Sequence, residues 1–356
     1  MNEHRGFMHR CIELSQLGKG QVAPNPMVGS VLVHQDRIIG EGYHKKYGGP
    51  HAEVNCLASV QDEDKALIPY STLYVSLEPC AHFGKTPPCA DLIIQNKIQK
   101  VVVGCRDPFM EVNGKGIEKM QAAGIEVISG VLEEECIKAN KAFFIYHTVH
   151  RPYVILKWAQ TADGKIAGTG ENRLMITNEY TNRIVHRWRT ESMGILVGTQ
   201  TALLDDPKLT SRLWPGKSPL RLVIDLDLRL PDSLNLLSGE QPTIVFNLHR
   251  HTLTEQNWND FEKSGLQYYQ VGNDASLVHQ VMNALYQMKV QSLMVEGGAR
   301  MLQSFIDEGI WDEARVITNL QLNIGKGLPA PQISEHELTG SEKIFSDHIA
   351  YYKHQQ

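Results

Sequence analysis

Two α/β domains in tandem are what this sequence predicts, and three observations carry the prediction. Short β-branched runs alternate with helical periodicity along most of the chain, which implies largely parallel sheets covered on both faces. The length, 356 residues, fits two hydrophobic cores better than one. The segment His150-Arg151-Pro152 interrupts the alternation once, because proline ends a helix and starts the chain on a new extended run. The expected domains are therefore 1–150 and 151–356.

The elements follow in order. Phe7, Met8, Cys11, Ile12 and Leu14 recur at helical spacing, and Gly18-Lys19-Gly20 stops that helix. Residues 28–33 are apolar and β-branched, and a polar turn at 34–37 leads into Ile38-Ile39, a hairpin pattern. Next come a helix at 52–59, a strand at 72–77, a helix at 90–96, a strand at 100–105, a helix at 117–123 closed by Gly124, and a strand at 125–128. Residues 132–147 read as one longer helix. Beyond Pro152 a strand is expected at 153–158. A helix at 178–189 carries Tyr180, Ile184, Val185 and Trp188 on one face, with Thr177 as its N-cap. Strands at 195–197, 220–224 and 243–246 follow, then a helix at 276–288 and a strand at 292–295. A Gly-Gly turn, a helix at 299–307 and a strand at 314–317 complete the pattern. The extreme C-terminus is uninformative.

Composition narrows the function classes. Hydrophobic residues make up 42% and charged residues 21%, which is globular and far from the disordered regime. A net charge of −5, from 35 Lys plus Arg against 40 Asp plus Glu, argues against a nucleic-acid or anionic-membrane surface, because phosphate binding needs a basic face. No nucleic-acid and no membrane partner is expected. Residues 1–6 lack the apolar core of a secretory signal, and no run approaches the ~18 apolar residues of a membrane span. Six cysteines in a chain this long do not make a disulfide scaffold. The expected setting is cytoplasmic, with reduced thiols, some of them free to bind metal.

The stretch richest in chemistry is His51-Ala52-Glu53, followed by Pro79-Cys80 and then, after eight intervening residues, Cys89. His-x-Glu followed by Pro-Cys-x-x-Cys is the signature of zinc-dependent nucleobase deaminases, and here its second half is stretched. One imidazole and two thiolates would hold one Zn²⁺ per chain and leave a fourth position open to water, as catalytic sites do. The metal would lower the pKa of that water toward ~7. Glu53, two residues from a ligand and not itself one, would take the water's proton and pass it to the ring nitrogen and then to leaving ammonia. His51 should open a helix after the Gly48-Gly49-Pro50 turn. Cys80 should follow a buried strand. Cys89 should open the next helix, whose N-terminus favours thiolate. The alternative is a closed structural site with His82 or His44 as fourth ligand, which would leave Glu53 idle. Cys11, Cys56, Cys105 and Cys136 read as core thiols.

In the second half, Glu296-Gly297-Gly298 lies between a strand and a helix. Free N–H groups and the helix dipole there suit an anion, although a simple tight turn explains the glycines equally well. The Leu204-Asp205-Asp206-Pro207 segment strengthens the functional reading. Arg189 and Arg212 suit a phosphate through their guanidinium forks, while Arg189 also ends a helix, where a dipole contact would suffice. Lys157 sits in an apolar strand and needs either a partner or a snorkelling path.

Three N-terminal segments together resemble the bifunctional riboflavin-biosynthesis deaminase/reductase family. They are Pro24-Asn25-Pro26-Met27-Val28-Gly29, Gly48-Gly49-Pro50-His51-Ala52-Glu53 and the run from Glu78-Pro79-Cys80 through Pro87-Pro88-Cys89. The stretched cysteine segment separates that family from cytidine and tRNA-adenosine deaminases. Lys157 with Asp163-Gly164-Lys165, Leu203-Leu204-Asp205-Asp206-Pro207-Lys208-Leu209-Thr210 and Val295-Glu296-Gly297-Gly298 are similar to its reductase domain. The resemblance implies an N-terminal cytidine-deaminase-like three-layer α/β/α domain and a C-terminal dihydrofolate-reductase-like α/β domain. It implies deamination of a diamino-ribosylamino-pyrimidinone 5′-phosphate to the aminouracil, then reduction of ribosyl to ribityl. The cofactors would be Zn²⁺ and NADPH, the substrates pyrimidine ribosyl phosphates, and the assembly a homo-oligomer.

Carried over by position, the resemblance makes His51, Cys80 and Cys89 the zinc ligands and Glu53 the catalytic proton shuttle. Asn25 would contact the pyrimidine, with His44, His82 and Lys85 at the ring or phosphate. Cofactor contacts would fall at Gln160, Met175, Thr201, Asp205, Gly298, Ala299, Arg300, Met301, Leu302, Gln303 and Ser304. Reductase substrate contacts would fall at Lys157, Arg173, Arg189, Leu209, Arg212 and Glu296. One departure stands out. The family usually has Ser-x-Trp-Ile-Thr after Gly170-Glu171, whereas Asn172-Arg173-Leu174-Met175-Ile176-Thr177 here is one residue longer. Anchoring on Ile176-Thr177 puts Met175 at the tryptophan position and Arg173 at the serine position, and Met cannot stack as Trp does. A deaminase with a degenerate reductase domain and a nucleic-acid-editing deaminase are the competing readings.

Overall fold

The structure, a computed structural model, describes residues 2–83, 87–110, 112–170, 174–254 and 265–355. The chain divides into two units, Met1–Val149 and His150–Gln356.

The first unit begins with α1 (Asn2–Gln16), the hairpin of β1 (Gly29–His34) and β2 (Arg37–Tyr43), and α2 (Ala52–Ala58). After a 3-10 stretch (Asp62–Tyr70) come β3 (Thr72–Leu77), α3 (Cys89–Gln95), β4 (Lys100–Cys105), α4 (Lys115–Ala122), β5 (Glu126–Ser129), α5 (Glu133–Ala139) and α6 (Lys141–Val149). The sheet order is β2-β1-β3-β4-β5. β1 is antiparallel to both neighbours, and β3, β4 and β5 are parallel. Strand alternation divides the core between two faces. Val31, Val33 and Val102 pack with Met8 and Cys11 of α1 and Cys136 of α5. Leu32, Val101 and Val103 pack with Cys56 of α2, Ile93 of α3 and Met120 of α4. The result is three layers, α/β/α. Close packing of α2 on β2 depends on Gly42, where a Cβ would lie 2.2 Å from the Cys56 backbone nitrogen.

The single helix expected over 132–147 is two helices, α5 and α6, broken at Asn140. The cause is a tertiary bond that outweighs local propensity. Asn140 Oδ1 accepts from the Met27 N–H at 2.7 Å, and its Nδ2 donates to the Met27 carbonyl at 2.8 Å. That pair pins the segment carrying Asn25.

The second unit runs β6 (Tyr153–Thr161), β7 (Lys165–Ala167), α7 (Glu179–Thr190), β8 (Gly194–Gly198), α8 (Thr199–Asp205), β9 (Leu220–Ile224), β10 (Thr243–Asn247), β11 (Leu266–Gln270), α9 (Leu277–Gln287), β12 (Ser292–Val295), α10 (Ala299–Asp307), β13 (Glu313–Asn319), β14 (Leu328–Pro329), β15 (His336–Ile344) and β16 (Asp347–His354). Nine strands form one sheet in the order β11-β10-β9-β8-β12-β6-β13-β16-β15. It is parallel from β11 to β13 and ends in two antiparallel strands. α9 and α10 pack on one face, and α7 and α8 on the other. The N-cap of α7 is Asn178, whose side chain accepts from the Thr181 N–H, and not Thr177. The C-terminus that carried no pattern is the β15–β16 hairpin. β15 is exposed along nearly its whole length, so it has no inward-facing alternation to read. α8 and α10 begin at the carboxyl ends of the adjacent strands β8 and β12, where open α/β sheets place their ligands. Among the described residues no helix is long and apolar enough to cross a membrane.

Asn140→Ala should destabilise the first unit by about 1–3 kcal/mol, because it strands two backbone groups of Met27. It should also loosen the segment carrying Asn25. Urea unfolding and faster amide hydrogen exchange at Asn25 in the variant check both.

Candidate active sites

Three donor atoms converge in the first unit. His51 caps α2 in an extended conformation. Cys80 lies in the turn after β3, and Cys89 is the first residue of α3. The Ala90 N–H donates to the Cys80 carbonyl at 3.1 Å, and the Cys89 N–H donates to Cys80 Sγ at 3.3 Å. His51 Nδ1 is 3.7 Å from Cys80 Sγ and 3.3 Å from Cys89 Sγ. All three ligand atoms lie within 4.8 Å of one another. One imidazole and two sulfurs this close are the donor set of a zinc site with an open position.

The electrostatics of this cluster fit that use. The bond from the Cys89 thiol, with help from His51, holds the Cys80 thiol down to about 4. Cys89, the proton donor of the pair, is pushed up. His51 is raised by its bond to Cys80. Glu53 is only 3% exposed, and burial, reinforced by the Cys80 charge, raises its carboxyl. An upward shift is the direction that suits a carboxyl used for proton transfer.

The neighbouring predicted residues divide. His44 Nδ1 donates to the Pro50 carbonyl at 2.9 Å, so its Nε2 accepts from Asn25 Nδ2 at 3.1 Å. His44 is 3% exposed and burial lowers its pKa. Both its ring nitrogens are engaged, so it orients the Asn25 amide. His82 has a buried Nδ1 without a hydrogen-bond partner, and its ring faces Phe109 at 6.1 Å. Neither His44 nor His82 joins the three-donor group, so the closed four-ligand alternative finds no fourth ligand among the described residues. Lys85 lies outside them. Asp107 was not signalled in the sequence, where Asp before Pro at a strand end reads as a turn. Burial pushes its carboxyl up to about 7 against the bond from the Phe109 N–H, with Glu78 and Cys80 adding to the rise.

In the second unit a buried charge cluster forms at the end of β12. Arg189 Nε and Nη2 donate to the two Glu296 oxygens at 2.8 and 2.7 Å, and its Nη1 donates to the Thr210 carbonyl at 3.0 Å. Lys157 Nζ is 3.8 Å from Glu296 Oε2, and the three side chains are 12%, 12% and 6% exposed for Lys157, Arg189 and Glu296. Burial alone would raise the Glu296 carboxyl, but Arg189 and Lys157 outweigh it and hold it down to about 2. Lys157 therefore has its partner. Arg189, expected to fork a phosphate, forks Glu296 in its place. Arg212 lines a cavity of about 540 Å³ with Lys208, Thr210, Trp214 and Arg221, a cationic recess that suits a phosphate.

The cofactor residues also divide. A Cβ on Gly298 would lie 3.2 Å from Thr201 Oγ1, and Gly297 has φ +146°. A side chain at Gly298 would crowd Thr201 and one at Gly297 would be strained, which keeps the backbone open at the N-terminus of α10, whose first N–H groups lack helical partners. It fits a dinucleotide phosphate. Ala299, Arg300 and Met301 form the first turn of α10. Leu302 is instead fully buried in the core with its N–H bonded to Gly298, so its side chain serves packing and not cofactor contact. Gln303 bonds Asp307 and the Gln332 backbone, and Ser304 bonds the Arg300 carbonyl. Gln160 accepts from Trp158 Nε1 and donates to Thr318. Asp205 ends α8. Leu209 is 2% exposed at φ 53°, so its side chain packs inward while its backbone is held in a left-handed turn. Met175 is 64% exposed, and Arg173 lies outside the described residues.

Fold and site together define a deaminase-type zinc centre joined to a second α/β domain with a glycine cradle at a helix N-terminus. Residues 1–105 match the cytidine and deoxycytidylate deaminase zinc-binding region, and residues 152–321 match the RibD C-terminal domain. The riboflavin biosynthesis protein RibD of Aquifex aeolicus is 39% identical over 96% of this chain and 93% of its own length. That of Escherichia coli K12 is 33% identical over 86% of this chain and 85% of its own. A crystal structure of the deaminase/reductase from Thermotoga maritima superposes with a TM-score of 0.86 at 35% identity, covering 99% of both chains. The chain belongs to the RibD family of bifunctional riboflavin biosynthesis enzymes.

Glu296 stays ionised down to about pH 2, below its usual 4.5. Its depressed pKa adds stability that is present above about 4.5 and lost as the pH falls toward 2. Glu296→Gln should therefore destabilise the second unit by about 3–5 kcal/mol at neutral pH. The gap from the parent protein should narrow as urea titrations move from pH 4.5 toward pH 2.

Proposed function

We propose that the first domain hydrolyses the amine from 2,5-diamino-6-(5-phosphoribosylamino)pyrimidin-4-one, and that the second reduces the ribosyl group of the resulting 5-amino-6-(5-phosphoribosylamino)uracil to ribityl. The observation that carries the first step is a buried Glu53 carboxyl, raised by burial, beside the His51, Cys80 and Cys89 donors.

His51, Cys80 and Cys89 would hold zinc, which would supply the Lewis acidity that makes water a nucleophile near neutral pH. Glu53 takes one proton from the water and gives it to the ring nitrogen, then takes the remaining hydroxyl proton as the carbonyl forms and gives it to the departing amine, so one carboxyl serves both transfers. Asn25 turns its amide nitrogen to His44. Its Oδ1 is then the acceptor left for a pyrimidine N–H. His82, with its orphaned Nδ1, is the nearby polar group for the ribosyl phosphate side.

Thr201, Gly298 and the first turn of α10 would hold the phosphates of NADPH, which would supply the hydride for the second step. Lys208 and Arg212 take the substrate phosphate. Lys157, beside Glu296, donates to the ribosyl oxygens and fixes the carbon that accepts hydride. Arg189 acts through Glu296. On this reading the chain works in the cytoplasm as a homo-oligomer, which light scattering on the purified protein would show as a multiple of the chain mass.

Glu53→Ala should lower ammonia release roughly 10²–10⁴-fold. Its zinc content should stay near that of the parent, and NADPH oxidation with the deaminated intermediate should be retained. Undiminished ammonia release by this variant would remove Glu53 from the reaction.

A further inference from the structure

We propose that Glu78 is a positioning residue that sets the zinc site by clamping the turn which carries Cys80; this rests on the reading of the first domain as a zinc deaminase.

Glu78 is 4% exposed, two residues before Cys80, and makes no ion pair among the described residues. Its carboxylate is instead ringed by backbone donors. Oε2 accepts from the Asp107 N–H at 3.3 Å and the Gly114 N–H at 2.9 Å, and Oε1 accepts from the Gly116 N–H at 2.9 Å and the Ile117 N–H at 3.2 Å. Gly114 caps α4, and Gly116 and Ile117 are in its first turn, so the charge also meets the positive end of that helix. Charge-assisted bonds of this kind are stronger than neutral ones, and a buried carboxylate satisfied from four directions has one geometry.

The other side of the clamp is steric. A Cβ on Gly116 would lie 1.9 Å from the Pro79 carbonyl oxygen. The first turn of α4 thus presses directly on the residue between Glu78 and Cys80. From Cys80 the geometry passes on, because its carbonyl and sulfur accept from Ala90 and Cys89 at the start of α3. One carboxylate thereby ties three segments: the end of β3, the start of α4 and, through Cys80, the start of α3. It also fixes the backbone of Asp107, the buried carboxyl beside the site.

Glu78→Gln keeps the shape but turns an amide NH₂ toward two N–H donors. Zinc release from the variant to a colorimetric chelator should be on the order of 10- to 100-fold faster, as for lost outer-shell support of a metal ligand. The sulfur-to-metal absorption band of the Co²⁺-substituted protein should shift. Glu78→Asp keeps the charge with a shorter reach, so its release rate should fall between the two. NADPH oxidation with the deaminated intermediate should stay within about twofold of the parent, because the reductase residues are remote in the chain and share no partner with Glu78. If Glu78→Gln does not accumulate as folded protein, Gly116→Ala attacks the same clamp from its other side and should speed release likewise. Parent-like release with an unchanged Co²⁺ band in the folded variant overturns the proposal and leaves the deaminase reading standing. A parent protein that holds no zinc overturns that reading itself.

Discussion

Three donors from separate turns have to meet within 4.8 Å, and the architecture of the first domain answers that requirement. His51 comes from the start of α2, Cys89 from the start of α3, and Cys80 from the turn that follows β3. Each sits where a helix begins or a strand ends, so each has free backbone polarity nearby and a short path to rigid structure. Gly42 lets α2 lie against β2, which places His51 and Glu53 together on one turn of helix. One buried thiol, one half-buried thiol and an imidazole meet here. The two thiols are shifted in opposite directions, Cys80 down and Cys89 up. Metal binding by such a donor set would release protons.

The two domains use buried glutamates in opposite ways, and environment alone decides which. Glu53 is buried beside thiol sulfur, and its carboxyl is raised. Glu296 is buried between Arg189 and Lys157, and its carboxyl is lowered to about 2. The first is a carboxyl placed beside the metal-ligand set and shifted in the direction that favours holding a proton. The second is a permanent negative charge that keeps two cations ordered at the carboxyl end of the parallel sheet. A buried ionic cluster is weak grounds for stability as such. Its place beside the glycine cradle of α10 makes positioning the better account of why it is there.

Much of this was legible in the sequence where side-chain identity and spacing carry the physics. His51, Glu53, Cys80 and Cys89 announce themselves because zinc chemistry needs those atoms, and the β–α alternation reads directly because each buried strand is a short apolar run. What was illegible depends on partners far along the chain. Asn140 ends a helix because Met27, 113 residues away, takes both ends of its amide. Arg189 looks like a phosphate ligand until Glu296, 107 residues on, occupies its fork. That His44 orients the Asn25 amide shows only once Pro50 and Asn25 are seen on its two nitrogens. Glu78 gave no signal of its role because its partners are backbone N–H groups, which no residue pattern advertises. Leu302 was swept into the cofactor set by position, and only its burial shows that it faces the core.

Two reactions in a fixed order in one chain are what this molecule is built to perform. The direct measurement follows ammonia and NADPH together with the diamino substrate, using zinc-replete and zinc-stripped protein. Replete protein should release ammonia first and then oxidise an equal amount of NADPH. Stripped protein should do neither, yet should oxidise NADPH once the deaminated intermediate is supplied. Ammonia release that survives removal of zinc, or failure to oxidise NADPH with the deaminated intermediate, would contradict this assignment.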